Sequence, residues 1–126
     1  MQDLRKQFHR IKKLYKLLKI AKNQNFDDCI KYSIKKYYRF FIHNIEEIIR
    51  CYPPDKINKE TGLKFWTGNK IMPHVLDFDV NNIFLFEFIK SFTILLASCL
   101  IIEIKIKNIN VHIKEYIESY KAKPKK

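Results

Sequence analysis

DVNNIFLFEFIKSFTILLASCL, residues 79–100, leads into the most apolar part of the chain, and its reading decides the fold. From Ile83 to about Leu100 it is apolar on most sides of a helical projection, interrupted by Glu87, Lys90 and Ser91. A helix that is apolar nearly all round belongs inside a core. Asp79, with Asn81 and Asn82, supplies polar side chains able to cap its start. The densest run, Ser91 to Ile102, is about a dozen residues between Lys90 and Glu103, well short of the roughly 20 a spanning helix needs. It reads as a buried central helix, and no membrane span is expected.

Upstream of that helix, Pro53 to Asp79 shows neither helical nor alternating periodicity, and it holds both glycines, three of the four prolines and the sole tryptophan. Structureless loops of this length are uncommon inside compact domains, so something must pin it down. The available apolar anchors are Leu63, Phe65, Trp66, Met72, Leu76 and Phe78. Before the loop, Ile30, Ile34, Tyr37 or Tyr38, Phe41, Ile45, Ile48 and Tyr52 recur at helical spacing. Asn25 or Asp27 can cap this second helix, and Pro53 and Pro54 end it because neither donates a helical hydrogen bond. Earlier still, Leu4, Phe8, Ile11, Leu14, Leu18 and Ala21 share one face of a first helix, with Lys6, Lys12, Lys13, Lys16 and Lys19 on the others.

Beyond the central helix, Ile102, Ile104 and Ile106 alternate with Glu103, Lys105 and Lys107, a pattern open to either a strand or a continuing helix. A last amphipathic helix runs through Ile109, Ile113, Tyr116, Ile117 and Tyr120. It precedes a basic tail, residues 121–126, which is expected to fray. With 2 glycines in 126 residues, the turns that an antiparallel sheet needs are scarce. The expectation is one all-α domain over residues 1–126, with a long irregular loop between its second and third main helices.

Lys and Arg number 25 against 13 acidic residues, a net charge of +12. That balance steers a protein toward nucleic acid, anionic lipid or an acidic protein surface. Here, however, the lysines are spread through an Ile- and Asn-rich chain, as an AT-rich coding sequence would give. A basic helical module for nucleic acid or an acidic surface is therefore the alternative reading, and nucleic acid is not the expected partner. Cys29, Cys51 and Cys99 form no C-x-x-C pair and indicate neither a disulfide framework nor a zinc site. They are expected to be buried, reduced, structural thiols in an intracellular protein.

His9, His43, His74 and His112 lie in separate elements without metal-ligand spacing and read as solvated or core-edge residues. Glu46 and Glu47, adjacent on a helix, point about 100° apart and cannot act as a catalytic pair. Gly62 and Gly68 alone cannot form a phosphate loop. The residues therefore nominate no catalytic, cofactor-binding or metal-binding group in this chain.

The loop carries a more specific signal. Tyr52-Pro53-Pro54-Asp55, then Phe65-Trp66-Thr67-Gly68-Asn69-Lys70, Pro73, Leu76 and Phe78-Asp79, resemble in order and spacing the F-P-x-D and F-W-S-G-x-K-x-x-P-x-P-L-x-F-D segments of ubiquitin-activating (E1) enzymes. Asp28-Cys29 upstream and Val80-Asn81-Asn82 downstream extend the resemblance over roughly Phe26 to Ala97. The sequence departs from the pattern at Thr67, Asn69, Met72, Val75 and Leu85, and at Ser91 to Ile94, where the family has small residues.

The resemblance implies the C-terminal part of a second catalytic-cysteine half-domain. Its parent would adenylate ubiquitin with ATP and Mg²⁺, carry it as a cysteine thioester and pass it to an E2 conjugating enzyme in the cytoplasm or nucleus. The family's catalytic cysteine precedes Thr, whereas Cys29, Cys51 and Cys99 precede Ile30, Tyr52 and Leu100. The fragment is thus expected to be inactive and to bind no cofactor itself. The matching positions Pro53, Asp55, Phe65, Trp66, Gly68, Lys70, Pro73, Leu76, Phe78, Asp79 and Asn82 are expected to be structural, with Phe65, Trp66 and Phe78 clamping the loop onto helices two and three.

Overall fold

A computed structural model describes residues 2–68 and 70–122. The chain is all-α: α1 (Gln2–Asn23), α2 (Phe26–Tyr38), a π-helical turn (Arg39–His43), α3 (Asn44–Cys51), α4 (Ile83–Cys99) and α5 (Ile109–Ala122). Among the described residues, extended pairing amounts to an isolated antiparallel bridge between Ile57 and Lys64. Residues 102–107, open to two readings from sequence, form neither helix nor strand. Of the basic tail, Lys121 and Ala122 are helical, and residues 123–126 lie outside the described residues.

The chain divides into two compact units, Met1–Ile34 with Val80–Lys126, and Lys35–Asp79. In the first, α2, α4 and α5 contribute a core of Cys29, Ile30, Ile34, Leu85, Ile89, Ala97, Ile113 and Ile117, all fully buried. Each large side chain so covered contributes roughly 1.5–3 kcal/mol relative to exposure. Two buried hydroxyls lie among these residues without orphaned groups. Ser33 Oγ donates to the Cys29 carbonyl at 2.8 Å, and Thr93 Oγ1 donates to Ser33 Oγ at 2.9 Å.

Local chemistry sets the helix ends of this unit. The Asn25 side chain accepts from the Asp27 amide at 3.0 Å, and Asn82 Oδ1 accepts from the Phe84 amide at 2.9 Å. Asn82, rather than Asp79, is the N-cap of α4. At the other end, the Ile102 amide bonds the Ala97 carbonyl and the Ile101 amide bonds the Ser98 carbonyl, the paired bonds of a Schellman motif. Its left-handed position is Ile101, φ +56°, where glycine is usual. Ile102, the next residue, is buried.

In the first unit α1 keeps its amphipathic pattern, but its apolar stripe is in solvent. From Leu4 to Leu18, exposure along it ranges from 56% at Leu14 to 71% at Leu4. Its half-buried residues are Leu17, Ile20 and Ala21, and of these only Ala21 belonged to the stripe.

The second unit contains the end of α2, the π turn, α3 and the long loop. The second helix of the sequence reading is continuous in path but not in type. The π turn accommodates an extra residue, which rotates everything after it around the axis. Ile45 and Ile49 are consequently half-covered while Ile48 is exposed, contrary to the uninterrupted α-helical spacing that placed Ile48 on the packed face. The helix ends at Tyr52, whose φ of −130° is no longer helical, directly before Pro53 and Pro54.

Candidate functional site

The long loop is held to its own unit at two places. At the first, the Phe65 ring stacks on Tyr52 with centroids 4.3 Å apart and 18° between planes. Trp66 packs edge-on against Phe65 at 5.0 Å, and its Nε1 donates to the Tyr52 carbonyl at 2.6 Å. Lys70 Nζ sits 4.4 Å from the Phe65 centroid, within the range of a cation–π contact. Lysine, aromatic and aromatic thus form a layered stack on the residue that closes α3.

Backbone bonds fix the chain between these groups. The Phe65 amide donates to the Lys56 carbonyl at 2.7 Å, and the Lys56 amide donates to the Pro53 carbonyl at 2.9 Å. The Lys70 amide returns to the Thr67 carbonyl at 3.2 Å, closing a turn in which Gly68 adopts φ +66°. That left-handed conformation accounts for the glycine of the motif.

At the second place, Phe78 stacks on Tyr38 at 4.8 Å and meets Tyr37 edge-on at 5.9 Å. Tyr37 also contacts Phe41 at 5.1 Å. The Leu76 amide approaches the Phe41 carbonyl at 3.5 Å, the long limit of a hydrogen bond. Tyr37 is the buried centre of this cluster. Burial, followed by the charge of Asp77, raises its phenol above the usual tyrosine range.

The expected structural residues therefore divide into groups. Phe65, Trp66 and Lys70 come together over Tyr52, while Leu76 and Phe78 anchor the loop's far end. Pro53 begins the descending turn and Pro73 is half-buried. Asp55, Gly68 and Asp79 are exposed, and Asn82 caps α4 in the first unit. The aromatic residues clamp the loop to the helical run Tyr37–Tyr52 of their own unit. Sequence pattern placed this platform of Tyr37, Tyr38, Phe41 and Tyr52 on a helix, but it did not show which motif ring would meet which tyrosine.

Groups capable of chemistry are few. Cys29 is fully buried, and its thiol is pushed up to about 11, first by burial and then by the neighbouring Asp28 charge. It stays protonated and poorly nucleophilic near neutral pH. Cys51 and Cys99 are exposed, which corrects the expectation of three buried thiols: Cys51 ends α3 on its outer side, and Cys99 sits in the last turn of α4. His112 Nε2 lies 2.5 Å from Asp27 Oδ1, linking α5 to the first turn of α2 as a core-edge histidine. Glu47 pairs with Arg50 on an exposed helix face. No group of three His, Cys, Asp or Glu residues suited to a metal ion occurs among the described residues. Nor is any described helix long and apolar enough to cross a membrane.

Comparison with known proteins places the same residues in a family context. The family described as "Ubiquitin-activating enzyme, SCCH domain" matches residues 1–126. Ubiquitin-activating enzyme E1 1 of Candida albicans is 40% identical over 57 residues, which is 45% of this chain and 6% of that protein. Ubiquitin-like modifier-activating enzyme 1 of Mus musculus is 34% identical over 65 residues, covering 52% of the chain and 6% of the relative. Its counterpart in Dictyostelium discoideum is 38% identical over 65 residues with the same coverage. The chain thus corresponds to a small fraction of these relatives' length.

Proposed function

This chain belongs to the family of the ubiquitin-activating enzyme SCCH domain, and from that premise we propose that it is a structural helical part of the second catalytic-cysteine half-domain of an E1 enzyme. The parent enzyme adenylates the C-terminus of ubiquitin with ATP and Mg²⁺, captures it as a cysteine thioester and passes it to an E2 conjugating enzyme. It works in the cytoplasm, the nucleus or both. Within that scheme the present residues carry neither the catalytic cysteine nor the nucleotide, and no chemical step is assigned to them.

The observation that supports a structural role most directly is the use of the motif side chains. Phe65, Trp66 and Phe78 are spent on Tyr52, Tyr37 and Tyr38 rather than arranged around a cavity. A loop pinned at both ends behaves as part of a rigid body, and rigid bodies convert small hinge motions into large displacements of what they carry. The cysteines agree with this reading: Cys29 is sealed and protonated, and neither Cys51 nor Cys99 is followed by Thr.

The test is ATP-dependent formation of a reducible ubiquitin thioester by the enzyme carrying this segment, with the 126-residue chain assayed beside it. The enzyme is expected to form the thioester and to keep it in Cys29→Ala, Cys51→Ser and Cys99→Ser variants, while the chain alone forms none. Loss of the thioester in any one of these variants, with the fold retained, would return the catalytic cysteine to this segment.

A further inference from the structure

Two pieces of helix meet at the π turn Arg39–His43, and the sequence around that joint is twinned: Tyr37-Tyr38, Phe40-Phe41, Glu46-Glu47 and Ile48-Ile49. One residue of an α-helix is about 100° of rotation and about 1.5 Å of rise. Sliding α3 by one residue therefore sets Ile48 where Ile49 stands and Glu46 where Glu47 stands, the same side chain in each place. In the structure Ile49 is half-buried and Ile48 is 42% exposed. The uninterrupted α-helical spacing of Tyr37, Phe41, Ile45, Ile48 and Tyr52 offers an apolar face of matching composition. Two registers of one helix thus turn nearly the same surface inward.

The register observed is the one that the helix alone does not favour. The Asn44 amide donates to the Arg39 carbonyl, five residues back, and helical turns of that kind are rare and mostly single. The loop grips the joint on both sides and in the middle. Phe78 packs on Tyr37 and Tyr38 before it, and the Leu76 amide approaches the Phe41 carbonyl within it. After it, Phe65 stacks on Tyr52 and Trp66 donates to the Tyr52 carbonyl.

We propose that Arg39–His43 is a register switch: α3 has a second, continuous α register in which Ile48 replaces Ile49 on the packed face, and the loop's hold on Tyr52 selects the π register. Packed helices have discrete arrangements rather than a continuum. A slip turns Tyr52 by about 100°, away from Phe65 and Trp66, so the stack and the α register exclude each other. With the loop seated the unit is one body, and the α register is a minor form at about 0.1–10%. With Tyr52 released, α3 rotates by itself. A fixed bulge needs only one well-packed register, and the twinned residues beyond the joint supply two. The proposal uses only the second unit and is independent of the ubiquitin-activating role.

The experiment is methyl NMR of the 126-residue chain labelled at the isoleucine δ1 carbons, with a soluble gadolinium chelate as the probe of exposure. In the wild type Ile48 is expected to relax faster than Ile49. In Trp66→Ala, which removes the bond to Tyr52 and loosens the stack, that order is expected to reverse. Deleting Phe40 takes the extra residue out of the turn, so Ile49 stays covered in a continuous α-helix, and adding Trp66→Ala to the deletion no longer reverses the order. A folded Trp66→Ala chain with the wild-type order, or a reversal that persists without Phe40, would overturn the proposal. Should Trp66→Ala lose its helical circular dichroism, relaxation dispersion on the wild type decides in its place. Exchange at both methyls, lost on deleting Phe40, is then expected, and flat profiles at both would overturn the switch.

Discussion

At the scale of single residues, two positions show how locally unfavourable choices are carried by their surroundings. Ile101 holds a left-handed backbone at φ +56°, where a β-branched side chain is strained. It gains no packing in return, being 86% exposed. The conformation is imposed by its neighbours: the Schellman bonds end α4 and turn the following Ile102 into the core. Ile101→Gly is therefore expected to stabilise the chain by about 1 kcal/mol, measured as a higher urea midpoint; an unchanged or lower midpoint would show that the strain is relieved in some other way. Thr93 is the second such position. It is a fully buried polar side chain, and Ser33 provides the acceptor that lets its hydroxyl be buried. From sequence Thr93 was visible only as a departure, because its partner lies 60 positions away.

At the scale of elements, legibility followed the range of the interaction that decides each one. Helix ends were readable to within a few residues because their chemistry is local: Asn25 caps α2, Asn82 caps α4 where Asp79 was expected to lead, and Pro53 and Pro54 terminate. The π turn at Arg39–His43 left no local mark, and its effect appeared only as the covering of Ile49 in place of Ile48. The loop was readable as needing anchors, and Phe65, Trp66 and Phe78 serve as such, whereas Leu63, expected to be one of them, is 62% exposed. Their depth was not readable, since it depends on tyrosines presented by a preceding helix.

Trp66 is half-buried rather than enclosed, so Trp66→Ala is expected to cost about 1–2 kcal/mol rather than the roughly 3–5 of a core aromatic. Trp66→Phe, which keeps the ring contact and removes the Nε1 donor, should recover part of that loss. Equal urea midpoints for wild type and Trp66→Ala would mean that the stack over Tyr52 does not hold the loop.

At the scale of the whole molecule, fold class and family were legible, because apolar periodicity and motif spacing are properties of the sequence itself. The solvent-facing stripe of α1 was not, since periodicity states which residues share a face and not whether anything covers it. Alkaline pH tests the buried groups together. Cys29, Tyr32, Tyr37 and Tyr116 are all raised, first by burial in each case. A group whose folded-state value is raised gives stability that is complete below its ordinary value and lost as pH climbs through the folded one. For Cys29 that window runs from 9.0 to about 11, a contribution on the order of 2–3 kcal/mol. The urea midpoint is expected to fall across this window, and less steeply in Cys29→Ala; parallel profiles would exclude Cys29 as a source of the loss.

The same sealed thiol has a temporal consequence. Because Cys29 is enclosed in the first unit's core while Cys51 and Cys99 stand outside, a reagent that consumes the outer pair at once can reach the inner sulfur only during excursions that part α2 from its neighbours. The chain thereby carries its own clock for those openings, one that keeps time without an added label.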